Sequence, residues 1–234
     1  MFGKRIDIKF PLEAYWVIGD VHGCMFTLEA LMEQLPKDAI PIFVGDLVDR
    51  GKYSKNVMEF VLENQYLVVE GNHEFLMYNY IRDAVFRNIE SVWLQEPYGG
   101  LATVKSYGND YDTIMMHIQF IEEMPKYIEI ENYFITHGFG LPYYKKKENK
   151  KYVKKLYTQR MEELCDEEEP WQTYNIINVF GHTPYPDILF GQNYIGVDTG
   201  CGYNEMGSKL SALNLGTHQS ISIEIDHRDL FFKD

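Results

Sequence analysis

Five apolar runs in this chain each end in a side chain that can bind a metal or donate a hydrogen bond. They are Val17-Ile18-Gly19-Asp20, with His22 two positions on, Phe43-Val44-Gly45-Asp46, Val69-Glu70-Gly71-Asn72, Ile135-Thr136-His137 and Val179-Phe180-Gly181-His182. Four of the five place a glycine just before the polar residue. Glycine there lets backbone and ligand approach closely, and in open α/β sheets ligands sit beyond the carboxyl ends of strands. The candidate ligands are therefore Asp20, His22, Asp46, Asn72, His137 and His182. This mixed nitrogen and oxygen set is too rich in histidine for calcium or magnesium alone, and it lacks cysteine. It suits Mn²⁺, Fe²⁺ or Zn²⁺. Six side chains exceed what one catalytic ion takes, because such an ion keeps a position open for water. Two ions sharing a carboxylate fit better, and Asp46 is the best candidate for the shared one.

Strands and helices must bring these endings together. Residues 15–20, 40–46 and 66–72 read as buried strands, and 25–35 and 54–64 as the helices between them, with Ser54 as a plausible N-cap. That β-α-β-α-β order predicts a parallel sheet with right-handed crossovers. A helix is expected over 73–85 and another over 117–124. The turn-rich stretch 96–112 reads as a loop over a site. Residues 127–138 alternate like a hairpin around Glu131-Asn132. Strands are expected over 176–182, 194–198, 210–215 and 220–226, paired as an antiparallel sheet. No internal repeat or linker divides the chain, so one domain over 1–234 is expected.

Composition bounds the function. The 234 residues are 45% apolar and 24% charged, ample for a core. The net charge of −13 repels nucleic-acid backbones, so long DNA or RNA is not an expected partner. The basic run at 145–155 reads as a solvated segment or a substrate-contacting insert, and the acidic residues at 165–170 partly offset it. No run is long enough for a membrane helix. No apolar region follows the basic residues of "MFGKRIDIKF", so no signal peptide is expected and the cytoplasm is the expected compartment. Cys24, Cys165 and Cys201, odd in number and widely spaced, argue for reduced thiols rather than a disulfide framework or a cysteine-rich zinc site.

The blocks "GDVHG" (19–23), "GDLVDRG" (45–51), "GNHE" (71–74), "HG" (137–138) and "GHT" (181–183) resemble the signature of the phosphoprotein phosphatase family of binuclear metallophosphoesterases, in family order. The segments 97–108 and 196–215 resemble the smaller bacterial and phage serine/threonine phosphatases, so the likeness spans nearly the whole chain. It implies an α/β fold of the calcineurin-like type: two packed β-sheets flanked by helices, with a dimetal site at the strand carboxyl ends. It assigns Asp20, His22 and Asp46 to one ion, and Asp46, Asn72, His137 and His182 to the other. The ions would be Mn²⁺ foremost, with Fe²⁺, Zn²⁺ or Ni²⁺ as alternatives. The implied reaction is in-line attack on phosphorus by a hydroxide held between them.

His73 resembles the family's general acid, and Asp49 the carboxylate that orients it. Arg50 resembles a phosphate clamp, aided by Asn72. Arg160, the one arginine between His137 and His182, is the candidate second clamp. Tyr203 could roof the site, although a structural role is expected, and Glu74 is expected to support the helix start. The leading expectation is a phosphatase acting on phosphoserine or phosphothreonine in proteins. The alternative is a symmetrical bis(5'-nucleosyl)-tetraphosphate hydrolase acting on a small phosphorylated substrate. Many such enzymes carry a small residue where Asp49 stands, which favours the first expectation. A nucleic-acid end phosphatase, a cyclic phosphodiesterase and a non-catalytic binder rank below both.

Overall fold

The computed structural model describes residues 3–84, 91–164, 170–203, 205 and 207–231. Their strands are β1 (Lys4–Arg5), β2 (Tyr15–Ile18), β3 (Ile40–Phe43), β4 (Leu67–Val68), β5 (Ile128–Ile130), β6 (Tyr133–Thr136), β7 (Ile177–Phe180), β8 (Leu189–Phe190), β9 (Tyr194–Gly196), β10 (Lys209–Asn214) and β11 (Ser220–Glu224). The main helices are α1 (Met25–Gln34), α2 (Ser54–Glu63), α3 (Asn72–Asn79), α4 (Gly100–Tyr107) and α5 (Tyr111–Glu123).

One sheet has the order β11-β10-β2-β3-β4, the other β1-β5-β6-β7-β9-β8. In the first, β2, β3 and β4 run parallel, as the alternating strand and helix pattern predicts. The inner faces of the two sheets meet in a core that joins Tyr15, Val17, Ile42 and Val44 to Ile128, Ile130, Ile135, Val179 and Ile195. The alternate residues Trp16, Ile18 and Phe43 point the other way, onto Leu28, Leu31, Val57, Met58 and Ile121 of the helices. With both faces covered, "YWVI" is buried at every position, which is why it shows no polar alternation. The outer face of the second sheet is covered by residues of the stretches 139–164 and 170–174, through Phe134 with Tyr143 and Leu156, and Phe180 with Phe139, Leu141 and Trp171.

Four expectations change. The stretch 96–112 is mostly helical, carrying α4 and the start of α5, so α5 begins well before position 117. The helix expected over 73–85 opens at Asn72 and passes into a π-helical turn over Tyr80–Ala84, while Val85 lies outside the described residues. Ser54 is the first helical residue rather than the cap, and its hydroxyl accepts from Asp49 N at 3.0 Å. The late strands are not one antiparallel sheet. β10 pairs antiparallel with β11 and β2, but β7 runs parallel to both β6 and β9. The connections 137–176 and 181–193 are long enough for parallel crossovers, which need a dozen or more residues. The hairpin β5–β6 forms where expected. Among the described residues no helix is long and apolar enough to cross a membrane.

Candidate metal centre

The strands deliver their endings to one place. Val17-Ile18, Phe43-Val44 and Val69 lie in the first sheet or leave it, and Ile135-Thr136 and Val179-Phe180 lie in the second, so the polar residues that follow meet at the carboxyl ends of strands from both packed sheets. Turning the chain there strains it: His22, Asp46, Asp49, Arg50 and His182 all have positive φ, from 47° to 77°. Non-glycine residues rarely adopt that region, and each costs on the order of 1–3 kcal/mol. Five in a single site mark backbone held in place by its surroundings.

Glu74 supplies much of that hold. Its buried carboxylate accepts from Asp46 N and Leu47 N at 2.7 Å, Gly71 N at 3.0 Å and Val48 N at 3.3 Å. It thus ties the "GD" turn to the "GN" turn while capping α3. Burial pushes this carboxyl up to about 7, against the pull of the backbone donors.

All six expected ligands converge. Asp46 Oδ2 is 3.7 Å from His22 Nε2 and 3.2 Å from His137 Nε2. Asn72 Oδ1 is 3.0 Å from His137 Nε2. Asp20 Oδ2 is 4.0 Å from His22 Nε2 and accepts from His182 N at 3.1 Å. Two triads emerge, His22-Asp46-His73 and Asp46-His137-His182, each with its ligand atoms within 4.8 Å of one another, and Asp46 belongs to both.

Geometry alone places His73 among the ligands, 3.8 Å from Asp46 Oδ2. Its second nitrogen sets it apart. His22 and His137 direct Nδ1 at the carbonyls of Val48 and Val44, at 2.9 and 2.8 Å, which turns Nε2 toward the Asp46 carboxylate. His73 Nδ1 instead lies 2.6 Å from Asp49 Oδ2.

The electrostatics favour cations. Burial, then the carboxylate of Asp198, pushes Asp20 well above the usual range. Burial, then Arg50, holds His22 well below 6.5, and burial, then His137, brings His182 down to about 3. His137 goes the other way: burial opposes its charge, but Asp46 and Asp20 hold it at about 10. Crowded buried carboxylates beside neutral imidazoles suit a pair of divalent ions, whose arrival would release the His137 proton.

Arg50 and Arg160 line the same cavity of about 470 Å³, with Asp20, His22, Asn72 and His182. Arg50 Nη1 lies against His22 Nε2, its Nη2 is 3.3 Å from His73 Nε2, and its guanidinium sits 4.3 Å from the Tyr203 ring centroid. Gly99, at φ +79°, accepts from Arg50 N at 3.3 Å and leaves no room for a side chain, since a Cβ would sit 2.8 Å from that nitrogen.

Trp93 and Thr103 join the site with no signal in the sequence. Asp49 is fully buried and accepts from Trp93 Nε1 at 2.7 Å and Thr103 Oγ1 at 2.6 Å, besides its contact with His73. Nothing in "SVWLQEP" or "GGLATV" signals that. Asp198, which burial raises to about 6, carries the same signal as Asp20, an apolar run ending in Asp. Lys154, Tyr157 and Thr158 line the cavity beside Arg160, so the basic insert does reach the site. Tyr203 lines it too. Cys24 and Cys201 are buried free thiols, while Cys165 lies outside the described residues.

Comparison with known proteins gives this geometry its setting. The chain is 28% identical to the asymmetrical bis(5'-nucleosyl)-tetraphosphatase PrpE of Anoxybacillus flavithermus, over 89% of this chain and 93% of that one. It is 26% identical to the symmetrical bis(5'-nucleosyl)-tetraphosphatase of Coxiella burnetii, over 94% of both. The solved structure of a protein serine/threonine phosphatase from Saccharomyces cerevisiae with similarity to human PP5 matches the fold with a TM-score of 0.64, at 16% identity, over 97% of this chain and 84% of that one. The model of the calcineurin-like phosphoesterase family matches residues 14–216. With its two mixed sheets and its shared-carboxylate cluster of histidines and aspartates, the chain belongs to the calcineurin-like phosphoesterase family, as a metallophosphoesterase.

Proposed function

We propose that this protein hydrolyses bis(5'-nucleosyl) tetraphosphates in the cytoplasm, using two divalent ions. The observation that carries this reading is the row of cations in the metal cavity. Arg50, Arg160 and Lys154 line one space with the His/Asp cluster. A tetraphosphate spreads several negative charges along a chain, and several cations around one space suit it. Relatives named for that substrate, alike over about nine-tenths of both chains, support it. The expectation of a phosphoprotein substrate yields to this alternative.

Asp20, His22 and Asp46 would hold one ion, and Asp46, Asn72, His137 and His182 the other. When bound, such a pair supplies a nucleophilic water at neutral pH and offsets charge on the phosphoryl oxygens. Arg50 lies against His22 Nε2, and with that imidazole committed to an ion its fork would be free for phosphoryl oxygens. Arg160, which lines the same cavity, binds the same anion. His73 protonates the departing oxygen from Nε2, with Asp49 holding its Nδ1–H and stabilising the imidazolium. Trp93 and Thr103 fix that carboxylate so that it cannot turn away.

A second reading, a phosphomonoesterase that includes phosphoproteins among its substrates, draws on the His73–Asp49 contact of 2.6 Å. An alkoxide leaving group needs an acid more than a nucleotide phosphate does. A substrate panel separates the two. Protein stripped by chelation and reloaded with Mn²⁺ should prefer diadenosine tetraphosphate over phosphoserine peptides by at least tenfold in kcat/KM. Chromatography of the products distinguishes ADP alone from ATP plus AMP. A preference for the peptides would overturn the first reading. His73→Asn should lower turnover of alkyl phosphates far more than of p-nitrophenyl phosphate. Equal losses would remove His73 from the acid role.

A further inference from the structure

We propose that the cavity on the far side of Arg160 and Tyr203 is a second subsite, which takes the nucleoside of the departing half of the substrate. This rests on the dinucleoside tetraphosphate reading above. The second cavity has a volume of about 500 Å³, close to the 470 Å³ of the metal cavity and within the ~300–1,000 Å³ typical of small-molecule sites. Arg160 and Tyr203 line both, so the two spaces are neighbours across a ridge made of those side chains.

The walls of the second cavity suit a base and a sugar. Pro184, Tyr185 and Pro186 line the cavity, an aromatic residue with a proline on either side in sequence. The Tyr185 ring is held at both ends: its hydroxyl donates to Glu162 Oε1 at 3.1 Å, and its backbone N–H donates to Asp198 O at 3.0 Å. A fixed aromatic face is what stacking requires, and stacking tolerates any base. Ser208 and Lys209 line the cavity as well. Lys209 Nζ pairs with Asp187 Oδ1 at 2.5 Å, and an ammonium has three protons to donate, so further donors remain for ribose hydroxyls or a phosphate.

The wall is also built into the metal centre. Tyr185 lies three residues after His182, and the carbonyl that anchors its N–H belongs to Asp198, whose carboxylate faces Asp20. A phosphoryl group on a small alcohol occupies the metal cavity alone. A molecule with a base at each end of a phosphate chain needs two cavities, with the chain crossing between them. On that path it passes Arg160, the cation common to both.

The test compares kcat/KM on diadenosine tetraphosphate and p-nitrophenyl phosphate for the manganese-loaded protein and three variants. Tyr185→Ala removes the stacking face, Ser208→Trp fills the cavity from another lining position, and Tyr185→Phe keeps the ring. Tyr185→Ala should lower kcat/KM on the dinucleotide roughly 5- to 150-fold, the range that base–aromatic stacking supplies. That loss should exceed its loss on p-nitrophenyl phosphate at least fivefold. Ser208→Trp should discriminate the same way, and Tyr185→Phe, which keeps the face but loses the bond to Glu162, should lose less on the dinucleotide than Tyr185→Ala. Equal losses on both substrates in Tyr185→Ala and Ser208→Trp would overturn the subsite while leaving the dinucleotide activity standing. A wild-type protein with no preference for the dinucleotide would overturn the proposed function, and the subsite with it.

Discussion

Glu74→Gln tests how the site is held together. The two carboxylate oxygens divide the work: Oε1 accepts from Leu47 N and Val48 N, and Oε2 from Asp46 N and Gly71 N. Glutamine keeps one oxygen and turns the other position into a donor. Whichever way the amide sits, two buried N–H groups lose their acceptor and face an NH₂. An orphaned buried donor costs about 1–3 kcal/mol, so the pair costs about 2–6 kcal/mol by that estimate. Total stability is on the order of 5–15 kcal/mol, so the loss is a large share. At roughly 2–4 °C per kcal/mol for a chain of this length, the melting temperature should fall by about 4–24 °C. Calorimetry of the metal-free protein reads that directly. The Asp46 backbone, at φ +49°, is the strained turn these bonds restrain. The rise in melting temperature on adding Mn²⁺ should therefore also be smaller in the variant, because weaker ion binding gives less stabilisation. A metal-free melting temperature within 1 °C of wild type would refute the hydrogen-bond count (~0.5 kcal/mol at most).

Other perturbations separate position from chemistry. Thr103→Val deletes one of the donors to Asp49 at constant shape; urea unfolding should show a loss of about 1.5–3 kcal/mol, and turnover of poor leaving groups should fall more than that of p-nitrophenyl phosphate. Gly99→Ala and Gly108→Ala both place a side chain at positive φ, but only the first meets Arg50, since a Cβ at Gly108 has no neighbour within 4 Å. Both should lose stability by about 1–3 kcal/mol, and kcat/KM should drop in Gly99→Ala alone. Acid should weaken the contact between α2 and the start of α5, where Lys55 Nζ lies 2.6 Å from Asp110 Oδ2. The hydrogen bond from Lys55 lowers Asp110 to about 2 from the usual 3.8. A lowered folded value means that stability is present above pH 3.8 and lost as pH falls towards 2, so the difference between wild type and Asp110→Asn should vanish across that window in acid titrations followed by circular dichroism.

Much of the site was legible because its ligands sit at strand ends. An apolar run closed by glycine and a polar residue is a local pattern, and it marked Asp20, Asp46, Asn72 and His182 before any contact was known. The buried β-α-β-α-β half was equally plain, since strands covered on both faces read as unbroken apolar runs. Tertiary structure alone decided three things. Trp93 and Thr103 reach Asp49 across 44 and 54 residues of chain, and no spacing rule connects partners that distant. β7 runs parallel to β6 and β9, because strand direction depends on how the intervening segments cross rather than on the strands' own residues. The ridge of Arg160 and Tyr203, with a cavity on either side, forms only where two loops far apart in sequence pack together. Composition and periodicity report what each residue prefers locally, whereas the shape of a binding cavity is a property of the surfaces that folding brings face to face.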